Sequence, residues 1–171
     1  MAIVIAVGGF FPLTGAAKNT YSFQYVQDIP MPKREQEYLF KMVSERGLDY
    51  EETLATIFHE SSFQSDAVEK GNYGYFQINK VNHASMAKTL KTENKPLDPY
   101  ININWGTYML SDLYQKYAKK GLKGRELKEA VLSAYNKGEG GYKETGKATK
   151  YILKHDQSLE SIKQWMKKAK E

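Results

Sequence analysis

The chain has 171 residues, of which 41% are hydrophobic, 13% aromatic and 26% charged, so one folded domain is expected and an intrinsically disordered chain is not. It contains no cysteine, which excludes disulfide bonds, thiol catalysis and cysteine zinc sites. The net charge of +5 is concentrated in the second half, because residues 1–85 carry 7 Lys/Arg and 10 Asp/Glu whereas residues 86–171 carry 18 and 10.

The first part of the chain resembles a secretory signal. Residues 2–13 are apolar and are followed by the small residues Gly15, Ala16 and Ala17, as around a cleavage site. The stretch is too short to span a membrane, and no Lys or Arg precedes it, which leaves the end of a longer anchor as one alternative. A buried strand or a disordered arm is another. We expect export to the cell wall, periplasm or extracellular space, with membrane association through this segment left open.

Residues 19–32 are polar and aromatic with two prolines, a composition typical of an extended linker, so we place the folded domain at residues 33–171. Beyond the linker, helical periodicity dominates. Asp49 with Glu52 three residues later predicts a capped helix start, and Asp98 with Pro99 predicts another. The predicted helices cover residues 34–45, 49–61, 98–121, 125–136, 147–155 and 158–170.

Two stretches interrupt the helical pattern. Residues 71–79 alternate after three turn-forming residues and predict a short extended or hairpin segment, which is the only strand-like stretch. Glycines at 138, 140 and 141 predict a helix end followed by a loop. The fold class is therefore mainly α, with at most a short hairpin.

Glu60 is the candidate catalytic residue. It follows the apolar stripe of Leu54, Ile57 and Phe58 at the end of a predicted helix, where burial would raise the pKa of a carboxyl and make it a general acid. Most glycosidases pair such an acid with a second carboxylate. Neither Asp66 nor Asp98 is marked out for that role, although Asp66 stays possible. The pattern suits substrate-assisted cleavage, in which the 2-acetamido group of the sugar stabilises the cationic centre and one glutamate suffices.

Four blocks in order carry a resemblance to the soluble lytic transglycosylase (SLT) domain family, glycoside hydrolase family 23, of lysozyme-like fold. Residues 60–63 resemble its Glu-Ser-x-Phe signature, and residues 74–79 its Gly-Leu-Met-Gln-Ile block. Residues 98–108 are similar to its structural Asp-Pro-x-x-Asn-Ile helix, and residues 134–138 to Ala-Tyr-Asn-x-Gly. After these four blocks, a fifth stretch with Glu144, Thr145 and residues 151–152 resembles the last motif of the family. Each block alone is weak, but the ordered set is a strong joint signal.

The resemblance implies an enzyme that needs no cofactor and no metal and cleaves the β-1,4 bond between N-acetylmuramic acid and N-acetylglucosamine in peptidoglycan, leaving a 1,6-anhydro end. Glu60 would act as the single acid and base. The residues that would position the glycan are Ser61, Gln77, Tyr135, Asn136 and Tyr151. For Tyr135 a core role, and for Asn136 a helix-capping role, are the alternatives from the residues alone. The sequence departs from the family at Tyr75-Phe76, Lys137 and Gly140-Gly141.

Three other interpretations stay open. A hydrolytic lysozyme on the same scaffold would let water attack, and a non-catalytic wall-binding module could serve a secretion, conjugation or phage assembly. Nucleic-acid binding ranks below both, because the lysines are spread along helices without an arginine-rich run, and no nucleic-acid partner is expected. A zinc-protease motif around His59 is not supported, since Phe63 stands where its second histidine would be.

Overall fold

The computed structural model describes residues 22–170, so the predicted signal segment at residues 2–17 lies outside the described residues. Within residues 22–170 the structure contains six α-helices, a short 3-10 turn at Lys80–Asn82 and one three-stranded antiparallel sheet. The elements are α1 (Lys33–Glu45), α2 (Tyr50–Ser61), β1 (Val68–Glu69), β2 (Asn72–Tyr73), β3 (Ile78–Asn79), α3 (His83–Leu90), α4 (Pro99–Lys119), α5 (Gly124–Thr145) and α6 (Thr149–Lys168).

Both capping predictions are confirmed. The Asp49 side chain accepts a hydrogen bond from the Glu52 backbone N–H at 2.9 Å at the start of α2. The Asp98 side chain accepts one from the Ile101 N–H at 3.0 Å at the start of α4, where Pro99 opens the helix. Each carboxylate satisfies a backbone donor that has no partner within its helix, so the sequence defines both starts.

The packed structure begins before Lys33. Val26, Ile29 and Met31, in the stretch predicted to be a linker, are buried in the core. The buried amide of Gln36 holds this segment, because its Nε2 donates to the carbonyls of Val26 (3.0 Å) and Met31 (2.8 Å) while its Oε1 accepts from the Val26 N–H at 3.1 Å. These bonds satisfy backbone groups that an extended linker would leave to water.

Three helical regions differ from the prediction. Helix α3 has no apolar stripe from which the sequence would predict it, because only His83 and Met86 of that helix are buried. The predicted loop after residue 137 is a break at Gly138 (φ 70°, ψ 158°), after which the helix resumes to Thr145. The two predicted C-terminal helices are one continuous helix, α6, because one side of it buries Tyr151, Ile152, His155, Leu159 and Ile162 in succession.

The sheet is a small meander whose first strand starts earlier than the predicted segment. Val68 pairs with Tyr73, and Tyr73 pairs with Ile78. Gly74, at φ +72°, turns the chain between β2 and β3, and a Cβ atom there would lie 2.4 Å from the Asn102 Nδ2 atom. Glycine is therefore required both by the backbone angle and by the close approach of α4.

Helix α4 runs through the core and supports the sheet. Trp105 and Ile103 are fully buried, and Gly106 packs directly against the ring of Phe76. The buried Asn102 side chain accepts from the Phe76 N–H at 2.9 Å and donates to the Tyr73 carbonyl at 2.9 Å. Its side chain thus fixes the turn between β2 and β3 to the helix. No helix between residues 22 and 170 is both long and apolar enough to cross a membrane.

Replacing Gly106 with alanine is expected to destabilise the fold by about 2–3 kcal/mol, because the added Cβ atom would lie 2.0 Å from Phe76 Cγ in a filled core. Gly140→Ala is the matched control, since no described atom lies within 4 Å of its Cβ position. Alanine in that helical turn should stabilise by up to about 1 kcal/mol. Urea unfolding measures both, and equal stability of the two variants would contradict the close Gly106–Phe76 packing.

Candidate active site

Glu60 lies in the last turn of α2, at the edge of the protein interior. One side of this helix faces the core. Leu54 and Ile57 are fully buried on that side. The helix ends immediately afterwards, because Ser62 adopts the left-handed conformation (φ 51°) and its N–H bonds to the Phe58 carbonyl. Glu60 is therefore half-buried and held at a fixed point where the chain leaves the helix.

Burial raises the pKa of Glu60 from 4.5 to about 7. A hydrogen bond from the Tyr151 hydroxyl to Glu60 Oε1, 2.5 Å long, acts in the opposite direction because it stabilises the ionised carboxylate. Within residues 22–170 no second carboxylate contributes to this pKa. At neutral pH the group therefore interconverts readily between its acid and base forms.

Tyr135 and Tyr151 converge on the carboxyl group from two further helices. Tyr151, buried near the start of α6, also packs edge-on against the ring of His59 at a centroid distance of 4.5 Å. Tyr135, in α5, donates its hydroxyl hydrogen to the Phe76 carbonyl at 2.6 Å. Burial followed by the charge of Glu60 raises the pKa of both phenols, so both stay protonated around neutral pH.

Ser61 and Gln77 are held by backbone carbonyls. The buried Ser61 hydroxyl lies 2.9 Å from the Tyr75 carbonyl and 3.1 Å from the Ile57 carbonyl, which are its two acceptors. The Gln77 amide nitrogen donates to the Gly74 carbonyl at 2.9 Å and to the Ala67 carbonyl at 3.2 Å. Ser61 thus connects the β2–β3 turn to α2 by a hydrogen bond. These bonds of Gln77 use only its amide nitrogen, and its amide oxygen can accept from a ligand. A glycan contact by either residue stays a prediction.

Asn136 is exposed in α5, two residues before the break at Gly138. It does not end the helix, because the helical conformation continues through Lys137. The Lys137 amine instead donates to the Thr145 hydroxyl (2.9 Å) and the Gly146 carbonyl (2.8 Å), which closes the segment after the break onto α5. The Asn136 side chain is therefore open to solvent, and its binding role stays a prediction.

The other acidic candidates do not join Glu60. Asp98 is occupied as the cap of α4, and Asp66 is exposed in the loop before β1. A search of residues 22–170 finds no group of three His, Asp or Glu side chains arranged to hold a metal ion. The structure therefore brings Tyr135 and Tyr151 to Glu60 but leaves both aspartates apart from it.

A cavity of about 830 Å³ lies at the opposite end of α2 from Glu60. Its charged groups pair with one another, since Lys128 contacts Glu52 at 2.8 Å and Asp156 at 3.1 Å, and Arg125 contacts Asp156 at 2.8 Å. Asp49, in the wall of this cavity, lies eleven positions before Glu60 in the chain, roughly 16 Å along the helix axis. Its size alone does not make it the reactive site, and the candidate chemistry stays with Glu60.

The sequence profile of the transglycosylase SLT domain family matches residues 37–157. The chain belongs to this family. The matched part of the SLT domain contains Glu60 and every other residue expected at the glycan site. The family assignment made from the four sequence blocks is confirmed.

The SLT domain is similar in structure to an inactive glutamate-to-glutamine mutant of the lytic transglycosylase Slt from Pseudomonas aeruginosa, with a TM-score of 0.55 at 19% identity. The match covers 82% of this chain and 24% of the other, so the chain spans about a quarter of the length of the Pseudomonas protein. The likeness confirms the mainly α, lysozyme-like fold. No curated protein sequence matches the chain.

Glu60→Gln is expected to stabilise the SLT domain above neutral pH. Folding raises the pKa of Glu60, so its contribution to stability is full below pH 4.5 and is lost as the pH rises through about 7. A neutral amide avoids that loss, and the variant should exceed the wild type by roughly 1–3 kcal/mol at about pH 8, with a smaller difference at about pH 5. Urea unfolding at both pH values measures this.

Glu37→Gln, at an exposed position in α1, is the matched control for the loss of one glutamate. It should show no such pH-dependent gain. Equal stability differences for Glu60→Gln at the two pH values would contradict a raised Glu60 pKa.

Proposed function

We propose that this SLT domain is a peptidoglycan lytic transglycosylase that cleaves the β-1,4 bond between N-acetylmuramic acid and N-acetylglucosamine, with Glu60 as its single acid and base. The observation that carries the proposal is one half-buried carboxyl group with a pKa of about 7 and a phenol hydroxyl hydrogen-bonded to it. Membership of the transglycosylase SLT domain family and the likeness to the Pseudomonas lytic transglycosylase support the same reaction class.

The first step breaks the glycosidic bond. Protonated Glu60 donates its proton to the bridging oxygen, the bond from that oxygen to C1 of the muramic acid residue breaks, and N-acetylglucosamine leaves as an alcohol. The acetamido oxygen of the muramic acid stabilises the cationic C1. Glu60 becomes a carboxylate in this step, and the Tyr151 hydrogen bond stabilises that charge as it develops.

The second step closes the anhydro ring. The Glu60 carboxylate takes the proton of the C6 hydroxyl, and the C6 oxygen bonds to C1, which restores the acid form of Glu60. No water is consumed. A pKa near 7 suits both steps, because the same group must release a proton and then recover one at neutral pH.

Two of the expected site residues, Gln77 and Asn136, offer polar groups for contacts with the sugar. The Gln77 amide oxygen can accept from a sugar hydroxyl or an acetamido N–H, because its nitrogen is already held by two carbonyls. Asn136 offers an exposed amide with both a donor and an acceptor. Ser61, Tyr135 and Tyr151 contribute chiefly by fixing the walls of the site, since their hydroxyls bond to protein groups.

Glu60→Gln should abolish the release of soluble fragments from purified peptidoglycan, a loss of at least about 100-fold, because the amide keeps the shape of the side chain but cannot donate the proton. Mass spectrometry of released muropeptides from the wild type should show 1,6-anhydro ends, one water lighter than hydrolysis products. Glu37→Gln serves again as the control and should release fragments at the wild-type rate.

The alternatives predict different products. Hydrated muropeptides from the wild type would replace the transglycosylase with a hydrolytic lysozyme. Release by neither protein, with binding to the wall retained, would favour a non-catalytic module of a secretion, conjugation or phage assembly. Release by Glu60→Gln at the wild-type rate would remove Glu60 from the chemistry.

We also propose that the protein acts outside the cytoplasm, because its substrate would lie there and because residues 2–17 resemble a secretory signal or anchor. Fractionation of the native host followed by N-terminal sequencing tests this. The protein should occur in the envelope or the medium, either cleaved near Ala17 or retained by its N-terminal segment. Cytosolic protein with an intact N-terminus would contradict export.

A further inference from the structure

Helices α2 and α6 are joined by two polar contacts, one helical turn apart. In the first contact, the Tyr151 hydroxyl donates a hydrogen bond to Glu60. In the second, the Nε2 atom of His155 lies 3.1 Å from the Thr56 hydroxyl and 3.2 Å from the Glu52 carbonyl oxygen. Tyr151 and His155 are four residues apart, as are Thr56 and Glu60, so both contacts lie on the same pair of helix faces.

The second contact is deeply buried. His155 is 1% exposed and Thr56 is 2% exposed. The mechanism proposed for Glu60 uses neither side chain. A polar contact in a dry interface is costly unless its geometry is kept, so it restrains the rotation and the axial position of α6 relative to α2 more sharply than apolar packing does.

We propose that His155 is a positioning residue, which acts through its contact with Thr56 to hold α6 at the rotation that places the Tyr151 hydroxyl on Glu60. The importance of this role for catalysis rests on the function proposed above. The effect of His155 on the position of the Tyr151 hydroxyl does not rest on that function, because it concerns the protein without substrate. Loosening the His155 contact should therefore weaken the Tyr151–Glu60 hydrogen bond even though His155 itself does not touch Glu60.

A direct charge effect of His155 on Glu60 is excluded around neutral pH. Burial, followed by the charge of Lys128 on α5, lowers the pKa of His155 to about 4, and His59 on α2 acts in the same direction. The Glu52 carbonyl and Asp156 oppose this lowering without overcoming it. His155 is thus neutral at the pH at which Glu60 is half-ionised. A neutral replacement changes no charge, and any resulting change in the Glu60 pKa must come from geometry.

The test is the pKa of Glu60, measured by carbon NMR of side-chain carboxyl groups in the full chain, with the signal assigned by its absence in Glu60→Gln. Tyr151→Phe should raise that pKa by about one pH unit, because the bond that stabilises the carboxylate is removed. Thr56→Val and His155→Phe should each raise it by about half a unit. Thr56→Val preserves side-chain volume, so it keeps the test valid if His155→Phe does not fold.

Two further variants separate positioning from general stability. His155→Gln retains a neutral hydrogen-bond donor and should restore much of the wild-type Glu60 pKa. Ile162→Val removes a buried methyl group farther along α6, which lowers the stability of the fold, and should leave the Glu60 pKa unchanged. In the Tyr151→Phe background, Thr56→Val should cause no additional change, because the bond it acts through is already absent.

An unchanged Glu60 pKa in folded Thr56→Val, or an equal increase with and without the Tyr151 hydroxyl, would overturn the positioning role. The measurement needs no turnover. A chain that releases no muropeptides would therefore contradict the proposed function while leaving this result interpretable.

Discussion

The hydrogen bond between Tyr151 and Glu60 links the packing of the helices to the proposed chemistry. Burial favours the protonated carboxyl, and the phenol hydroxyl favours the carboxylate, so the balance of the two sets the pKa near 7. Only the first contribution begins locally: the apolar side of α2 turns Glu60 towards the interior, whereas α6, some ninety residues later in the chain, supplies the hydroxyl. The remaining structure keeps these two helices in place.

Helices α4 and α5 supply the other walls of the site. Gly106 allows the ring of Phe76 to enter the core against α4, and the Asn102 side chain bonds to the Phe76 N–H and to the Tyr73 carbonyl. The Phe76 carbonyl then receives the Tyr135 hydroxyl. A short sheet with only two residues in each strand would have little stability alone. Here its position depends on one buried side chain, Asn102, and on one glycine, Gly106, of a helix that carries no chemistry.

Buried polar contacts between α2 and α6 continue beyond Glu60, towards the start of α2. His155 and Thr56 form one such contact, and beyond it Lys128 bridges Glu52 and Asp156 at the far end of α2. Removing one partner from such a network leaves a desolvated group unpaired, which is why these interfaces tolerate little change in geometry. Because these contacts allow little change in geometry, they are suited to keeping the Tyr151 hydroxyl in hydrogen-bonding distance of the Glu60 carboxyl group.

The sequence by itself determined the family, the candidate acid, the mainly α class and the two capped helix starts, because these depend on local spacing and on side chains that act on neighbouring backbone groups. It could not determine the continuity of α6, because burial of one side of that helix overrides the local end signals. It also could not determine the return to helix after Gly138 or the presence of α3, because few residues of these segments are buried and neither shows an apolar stripe. Only the tertiary structure decided which polar side chains are occupied by protein carbonyls. Ser61 and Tyr135 resemble ligand contacts in the sequence, yet their hydroxyls bond to backbone oxygens that come from a different part of the chain.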